Sequence, residues 1–432
     1  MDLLQKINAV SLLNFASISD GNHMSISDYF TESGIPYYRG GDIYNPFIEF
    51  TNSPLYIPKQ IYNMPTMHRS HLEKGDILMS IVGAVIGNIS IVSTNNNATC
   101  SCKLAIIRPQ NISHAYLATF LKTKYGQQQI QKFRRGSGQT GLILEDFDQI
   151  LVPLLDDKIV QHISNLVDKS LDCSLHKQRL YSEAESLLLE QLGLKNFTEN
   201  KNTHNIISLN KSFVKSGRFD AEYYLPKYDD LFDRLAEHKT KRLSEIVSFK
   251  KSIEPGSDAY EAIGIPFIRV ANLTKFGLTD TDVYLSIDEY ADTIRPKKDT
   301  ILLSKDGSVG IAYKVEEDID VITSGAILHL TLTDDSVMPD YLTLVLNSIV
   351  VQMQAERDAG GSVIQHWKPS EIEKVVIPIL DEGVQATITK KVQESFALRK
   401  ESHRFLELAK QAVEVAIEQG EDKAMELLNK NI

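Results

Sequence analysis

Apolar residues along this chain follow two periods, and the change from one to the other happens twice. Short apolar runs at 76–81, Ile89–Val92, Ile301–Ser304 and Ile327–Leu332, punctuated by Gly, Asn and Pro, predict strands. Within each strand-rich part lies one predicted helical stretch, 115–133 in the first and 340–357 in the second. A longer amphipathic pattern follows each part. Asp156 and Asp157 suit the positive end of a helix dipole. After them Ile163, Leu166, Ser170, Cys173, Leu180, Ala184 and Leu187 form an apolar or small stripe at alternating 3-and-4 spacing. Asp381 and Glu382 open the second stripe. Its positions, 225 further on, are Ile388, Lys391, Ser395, Leu398, Phe405, Ala409 and Ala412, matching the first apart from the charged Lys391. One further position is polar in both, Lys177 and Ser402. Gly193 and Gly420 are plausible stops, so two helices of roughly 55 Å are predicted at about 1.5 Å per residue.

The strand-rich parts are also copies of each other. Gly34-Ile35-Pro36-Tyr37-Tyr38-Arg39 recurs as Gly264-Ile265-Pro266-Phe267-Ile268-Arg269. Gly75-Asp76-Ile77-Leu78-Met79-Ser80, with Gly83 and Gly87 after it, is echoed by Asp299-Thr300-Ile301-Leu302-Leu303-Ser304 with Gly307 and Gly310. Arg135-Gly136-Ser137-Gly138 corresponds to Ala359-Gly360-Gly361-Ser362. Ile150-Leu151-Val152-Pro153-Leu154-Leu155-Asp156 corresponds to Val375-Val376-Ile377-Pro378-Ile379-Leu380-Asp381. Four anchors in one order, at offsets of about 224 to 230 residues, indicate a duplicated unit. Each copy reads as a compact α+β domain of roughly 150 residues followed by a long helix. Such a helix either folds back on its own domain or pairs with its counterpart. Two similar stripes in one chain favour an antiparallel pair with pseudo-two-fold symmetry. The polar run 195–204 between the copies reads as a linker.

Composition narrows the class. At 432 residues, 42% hydrophobic and 24% charged, the chain has the make-up of a soluble globular protein. No apolar stretch approaches a membrane span, and the start MDLLQKINAVSLLNF lacks a basic region and a small-residue cleavage site, so no membrane and a cytoplasmic location are expected. Cys100, Cys102 and Cys173 provide no disulfide framework, and Cys100-x-Cys102 has no second pair to complete a tetrahedral metal site. The net charge of −11 counts against simple nucleic-acid binding. It leaves room for a reader that inserts a few residues into a groove while partners hold the phosphates.

The phrase Gly217-Arg218-Phe219-Asp220-Ala221-Glu222-Tyr223-Tyr224, together with the repeated anchors and the two long helices, resembles the specificity subunit of type I restriction–modification enzymes. The resemblance runs nearly the whole chain in domain order. It departs at the start, where the first copy lacks the Arg-Phe-Asp-x-Glu-Tyr-Tyr phrase. It departs again before the helices, where the family's Pro-Pro-Leu-Glu-Gln is reduced to Pro153-Leu154-Leu155-Asp156-Asp157 and Pro378-Ile379-Leu380-Asp381-Glu382. What it implies is an α+β chain with two similar target-recognition domains, 1–155 and 216–380, separated by two long antiparallel helices, 156–194 and 381–432, with a linker at 195–215. Each domain would read half of a split, asymmetric double-stranded DNA target while the helices set the spacer. The implied partners are two methyltransferase subunits, which carry S-adenosylmethionine and flip the target adenine, and restriction–translocase subunits. ATP and magnesium would likewise belong to partners, with no cofactor or metal in this chain.

Reading bases in the major groove requires forked donors or acceptors: Arg for guanine, Asn or Gln for adenine. In the first domain the run Lys132, Phe133, Arg134, Arg135, Gly136, Ser137, Gly138, Gln139 concentrates charge after a helix, with Tyr38, Arg39, Arg69 and Lys103 as further DNA-binding candidates. An internal ion pair is the plainer role for Arg39. In the second domain the candidates are Arg269, Asn272, Lys275, Lys305, Gln365, His366 and Lys368. Trp367 reads as an anchor of its loop, His366 as a loop residue, and Arg295-Pro296-Lys297-Lys298 as a solvated turn.

Nothing in the chain reads as a catalytic centre. There is no glycine-rich loop in a Rossmann context and no Walker phosphate loop. Asn52-Ser53-Pro54-Leu55-Tyr56 is only a near-miss for the Asn-Pro-Pro-Tyr/Phe phrase of amino-methyltransferases. Asp156-Asp157-Lys158 sits at a helix start, and a nuclease would need further carboxylates converging on a metal. The competing expectation is a non-catalytic protein–protein scaffold carrying two binding modules on a helical hairpin, which the acidic balance favours slightly.

Overall fold

The structure is a computed structural model, and it describes residues 4, 7–48, 55–136, 140–210, 212–361 and 365–431. Contacts divide the chain into two compact units, Met1–Leu175 with Leu398–Ile432, and His176–Ala397. The longer helices are, in chain order, α1 (His114–Lys122), α2 (Lys124–Lys132), α3 (Asp157–Gln191), α4 (Pro226–Ala236), α5 (Pro339–Asn347), α6 (Ile349–Asp358), α7 (Glu382–Gln419) and α8 (Glu421–Asn431). The unit boundary falls inside α3 and α7, so each long helix belongs in part to both units. Among the described residues no helix is long and apolar enough to cross a membrane.

The first unit contains strands β1 (Ala9–Ser11), β2 (Ala16–Asp20), β3 (Ile35–Tyr38), β4 (Phe47–Ile48), β5 (Tyr56–Ile57), β6 (Ile77–Ser80), β7 (Ile89–Val92), β8 (Thr99–Cys100), β9 (Leu104–Pro109) and β10 (Leu151–Pro153). A five-stranded sheet runs β2-β9-β6-β7-β4, a second sheet runs β5-β3-β8, and β1 pairs with β10. The apolar runs are continuous because both faces of the main sheet are covered. Ile77, Met79, Ala105 and Ile107 pack with Tyr116, Leu117, Phe120 and Leu121 of α1. Leu78, Val92, Leu104 and Ile106, pointing the other way, pack with Tyr38 and Ile43.

The second unit repeats this plan with β11 (Thr240–Arg242), β12 (Val247–Lys251), β13 (Ile265–Ile268), β14 (Leu273–Thr274), β15 (Gly277–Leu278), β16 (Tyr284–Leu285), β17 (Ile301–Ser304), β18 (Ala312–Lys314), β19 (Ile322–Thr323), β20 (Ile327–Leu332) and β21 (Val376–Pro378). The order β12-β20-β17-β18 matches β2-β9-β6-β7, β16-β13-β19 matches β5-β3-β8, and β11-β21 matches β1-β10. Even the pairing senses agree: β3/β8 and β13/β19 are both parallel. The copies differ where the first has β4 beside β7 and the second has the hairpin β14-β15.

Buried hydrogen bonds repeat at the same offset as the sequence. The Tyr116 hydroxyl donates to the Pro153 carbonyl at 2.6 Å and the Tyr341 hydroxyl to the Pro378 carbonyl at 2.8 Å. Gln129 exchanges two bonds with the backbone of Leu151, and Gln354 does the same with Val376. All four positions are related by 225, so the copies share a polar skeleton as well as a strand order.

Three expectations are corrected. Each predicted helical stretch is two helices, broken at Thr123 and at Ser348. The side chains there donate back to Phe120 and Val345, and Thr123 also caps Gly126. A Cβ at Gly126 would meet the Phe120 carbonyl at 2.5 Å, so the turn is too tight for a longer residue. The segment 381–432 is not one helix: α7 ends at Gln419, with the stop at Gly420 (φ +94°) where the sequence places it, and a further helix, α8, follows that was not expected. Ala424 and Leu428 of α8 are fully buried in the first unit's core. Finally, α4, with Tyr228, Leu231 and Leu235 buried, was not anticipated in a part read as strand-rich.

Folding back and pairing prove compatible for the long helices. In the first unit, Ile159, Ile163 and Leu166 of α3 pack in the same core as Ala409, Ala412 and Val413 of α7. Ser170 donates to the Ser402 carbonyl at 2.9 Å and Ser402 to the Ser170 carbonyl at 3.0 Å, while the Asp156 amide meets Glu421 just beyond α7. The two helix segments therefore run antiparallel. In the second unit Ser395 donates to the Lys177 carbonyl at 2.8 Å, and Lys391 meets Glu183, again antiparallel. The polar positions in the stripe are thus where the two backbones approach closely enough for a serine to bridge them.

His329, on β20 and 2% exposed, hydrogen-bonds the Thr323 hydroxyl at 2.7 Å. Burial, with Lys250 nearby, pushes its pKa down from 6.5 to about 4. The unfolded chain takes up this proton below its own pKa while the folded chain does not, so stability falls as pH drops from 6.5 towards 4. By pH 5 the loss amounts to about 2 kcal/mol. Urea midpoints at pH 7 and pH 5 should differ in wild type and differ clearly less in His329→Gln; equal shifts in both would remove His329 as the cause.

Candidate nucleic-acid interface

In each unit the hairpin-like pairing of the two central strands brings several loops to one sheet end. In the first unit Ser80, the last residue of β6, lies opposite Leu104, the first of β9. The next bonds stitch three loops together: Ile81 amide to Lys103 carbonyl at 3.0 Å, Leu142 amide to Ile81 carbonyl at 2.9 Å, and Gly83 amide to Thr140 carbonyl at 2.9 Å. Arg135 and Gly141 exchange both backbone bonds, closing the 135–141 loop. The turn at Arg39–Asp42 joins this end because Gly40 has no side chain: a Cβ there would meet the Ser80 hydroxyl at 3.2 Å and approach Lys103. Arg39, Lys103, Arg134 and Arg135 are thereby gathered from three separate stretches of chain.

The partners of these cations differ. Arg135 pairs with Asp146, whose side chain is 4% exposed, so it holds the base of its own loop. Arg69 pairs with Asp20 at the end of β2, which also takes His23 Nε2 at 2.6 Å. Arg39 is half-exposed and only 3.4 Å from Asp42, whose carboxylate mainly caps the Arg39 backbone. Arg134 bonds two neutral groups, Gln131 and Thr140, each at 3.1 Å. Lys132 lies over the Phe133 ring. Among the described residues Lys103, Lys132 and Arg134 form no ion pair, and all three are exposed. Tyr38 is 3% exposed and belongs to the sheet core, so it is no surface reader. Ser137 and Gln139 lie outside the described residues, as do 52–54 of the near-miss phrase.

The second unit stitches the same loops with different side chains. Lys305 amide bonds Ala326 carbonyl at 2.9 Å, Trp367 amide bonds Lys305 carbonyl at 2.8 Å, Gly307 amide bonds Gln365 carbonyl at 2.9 Å, and Gly360 pairs with His366. Trp367 is 1% exposed and packs in the unit's main core, as an anchor should. Lys305 is largely buried against Asp306, and Asn272 spends its amide on the Arg269 amide and the Asp280 carbonyl. Neither is a free reader. Lys275 sits over the Tyr181 and Phe276 rings, and Arg269 reaches Asp282 at 3.4 Å. Gln365, His366 and Lys368 are exposed, with His366 Nδ1 2.9 Å from Asp306 Oδ1 and Lys368 3.9 Å from Glu371. Arg295, only 16% exposed, and Lys297 are held by Asp320 and Asp318, so of that run only Lys297 and Lys298 are the solvated residues expected.

Carboxylates are what the residue reading missed. Asp20, Asp146 and Asp306 decide which cations stay available, and only the fold puts them beside their partners. Burial alone would raise the Asp306 carboxyl; Lys305 and His366 together hold it below the ordinary range. The Arg-Phe-Asp phrase also has a structural role. Arg218 forks onto Asp220 at 2.6 and 2.9 Å and donates to the Asp358 carbonyl at 2.8 Å, fixing the end of α6 where the 359–366 loop begins.

Acidity is unevenly shared. The first unit has 20 Lys and Arg against 22 Asp and Glu, the second 26 against 35, or −2 and −9. The cost of the net charge to DNA binding therefore falls mainly on the second unit. Among the described residues no three His, Cys, Asp or Glu converge in a way that could hold a metal ion.

The model of the type I restriction modification DNA specificity domain matches residues 236–402, which span β11 to β21 and the first half of α7. No curated protein matches the chain significantly. Among solved structures it is similar to the type I restriction–modification S subunit from M. genitalium, at 14% identity over 98% of this chain and 96% of that one with a TM-score of 0.41. It is also similar to the HsdS subunit from Thermoanaerobacter tengcongensis, at 14% identity over 96% and 97% with a TM-score of 0.32. The second unit thus carries a type I restriction modification DNA specificity domain, and the first unit repeats the strand order of its main sheets.

Proposed function

We propose that the chain is the non-catalytic DNA specificity subunit of a type I restriction–modification complex. Each unit reads one half of a split target through the loops gathered at its sheet end, and α3 and α7 fix the unread spacer between halves. Methyltransferase subunits, two in number, supply S-adenosylmethionine and much of the phosphate binding; restriction–translocase subunits bring ATP and magnesium chemistry. The observation that carries this reading is one scaffold used twice with different side chains on equivalent loops: Arg135, Gly141 and Val82 in one, Gly360, His366 and Asp306 in the other. A scaffold for non-nucleic-acid partners would need no such divergence at that place.

Selection from a random duplex library, by the chain alone and with its methyltransferase subunit, tests the reading. The assembled complex should select two fixed blocks separated by an unread stretch. Exchanging residues 1–155 for another recognition domain should change one block and leave the other, and a change in both blocks would defeat the modular reading.

A further inference from the structure

We propose that Asp306 is a specificity-determining residue of the second unit, a fixed carboxylate that accepts a hydrogen bond from an exocyclic amino group, cytosine N4 or adenine N6, in the major groove. The inference rests on the specificity reading above and adds which group discriminates. Asp306 lies in the loop between β17 and β18, next to Gly307, whose φ of +75° is in the left-handed region that glycine readily adopts. Its carboxylate is partly exposed, and each oxygen already has one donor: Lys305 Nζ on Oδ2 and His366 Nδ1, at 2.9 Å, on Oδ1. A carboxylate oxygen accepts more than one hydrogen bond, so acceptor capacity remains on the exposed side.

Three features separate this carboxylate from the ordinary acidic surface of the unit. First, it stands on the recognition loops themselves, where Gly307 bonds Gln365 and His366 pairs with Gly360 over the buried Trp367. Second, the Lys305 ammonium beside it offsets its charge and His366 adds a hydrogen bond, which lowers the repulsion a bare carboxylate would meet beside phosphates. Third, the equivalent position in the first unit is Val82, bridged to Gly141 as Asp306 is to His366. The scaffold does not need a carboxylate there, since Val82 and Gly141 close the same loops without one. Lys305 and His366 act as positioning residues: they lock the carboxylate's orientation, which is what converts an acceptor into a discriminating one. Acceptors of this kind favour bases presenting an amino hydrogen in the major groove and disfavour those presenting only oxygen or ring nitrogen.

The test uses the assembled complex and a randomised duplex library, with wild type, Asp306→Asn and His366→Gln. The half read by the second unit is the one left unchanged when residues 1–155 are exchanged. In that half Asp306→Asn should cut discrimination at a single base pair by about 10-fold or more, and His366→Gln should reduce it at the same pair by less. Whether that pair places cytosine or adenine under the loop identifies the amino group. A wild type that selects no sequence overturns the specificity reading itself. A wild type that selects normally, while Asp306→Asn keeps every preference or alters both halves, overturns the assignment of Asp306 alone. Should Asp306→Asn lower the unfolding midpoint, wild-type protein is probed instead with duplexes lacking one amino group at a time. Indifference to every amino group in that half overturns the assignment.

Discussion

Replacing Arg39, Lys103 and Arg134 together with alanine is expected to weaken binding of the assembled complex to its target duplex by on the order of 100-fold at low salt. These three come from separate stretches of the first unit and meet at one sheet end; Lys103 and Arg134 form no ion pair among the described residues, and Arg39 has a long 3.4 Å pair with Asp42 while its guanidinium stays half-exposed. If each meets a phosphate, the dependence of log affinity on log salt should flatten by about 0.9 per contact, or roughly 2.7 in all. Arg135 is the contrasting control. Its partner Asp146 is nearly buried, so Arg135→Ala should lower stability before it changes the salt slope. Fluorescence anisotropy across a salt series separates the two behaviours. A triple variant with wild-type affinity and slope would show that the DNA approaches from elsewhere.

Removing a single buried carboxylate should have an effect of similar size on folding. Lys314 of β18 and Asp340 of α5 are 7% and 5% exposed and lie 3.0 and 3.2 Å apart through the two carboxylate oxygens. Asp340 also accepts from Gln393 of α7 at 2.8 Å, so the pair ties the unit's sheet to its share of the long helix. Asp340→Ala leaves the ammonium without its buried partner, which costs about 3–5 kcal/mol by general experience with such pairs. Glu316 at 3.2 Å and the more exposed Asp299 at 3.6 Å retain some compensation, favouring the lower end. Burial opposes the Lys314 charge, yet Asp340 and Glu316 together hold its pKa above the ordinary 10.5. That contribution is fully present below pH 10.5 and fades only as pH rises through the higher folded value, so the wild type should lose it on the alkaline side alone. Urea denaturation of Asp340→Ala and of Lys314→Met with Asp340→Leu measures both halves of the argument. The double variant should recover most of the loss, and a single-variant loss below about 1 kcal/mol would contradict the burial argument.

Much of the frame was legible because it is written as periodicity and repetition. The paired anchors located both sheets, and the 3-and-4 stripes located α3 and α7 to within a residue or so, since a face that must be buried along ten turns leaves no freedom in its spacing. Helix breaks were harder. Thr123 and Ser348 are unremarkable as residues in a helical stretch, and the break comes from a side chain bonding back to the turn behind it. The helix α8 was hidden because it follows directly on Gly420 and merges with the pattern of α7. Of the proposed readers, Tyr38, Asn272 and Lys305 were misplaced for one reason: aromatic and polar residues beside a turn look alike in sequence whether the turn exposes or buries them.

The amino-acid sequence by itself determined the duplication, the long helices and the kind of chemistry on each copy, because strand period, helix period and residue type are local properties. Only the tertiary structure decided which cations remain uncommitted. Asp20 must meet Arg69, Asp146 must meet Arg135, and Asp306 must meet both Lys305 and His366 before any of them is spoken for. Electrostatic partnership depends on distance in space, and most of these partners are separated by many residues along the chain.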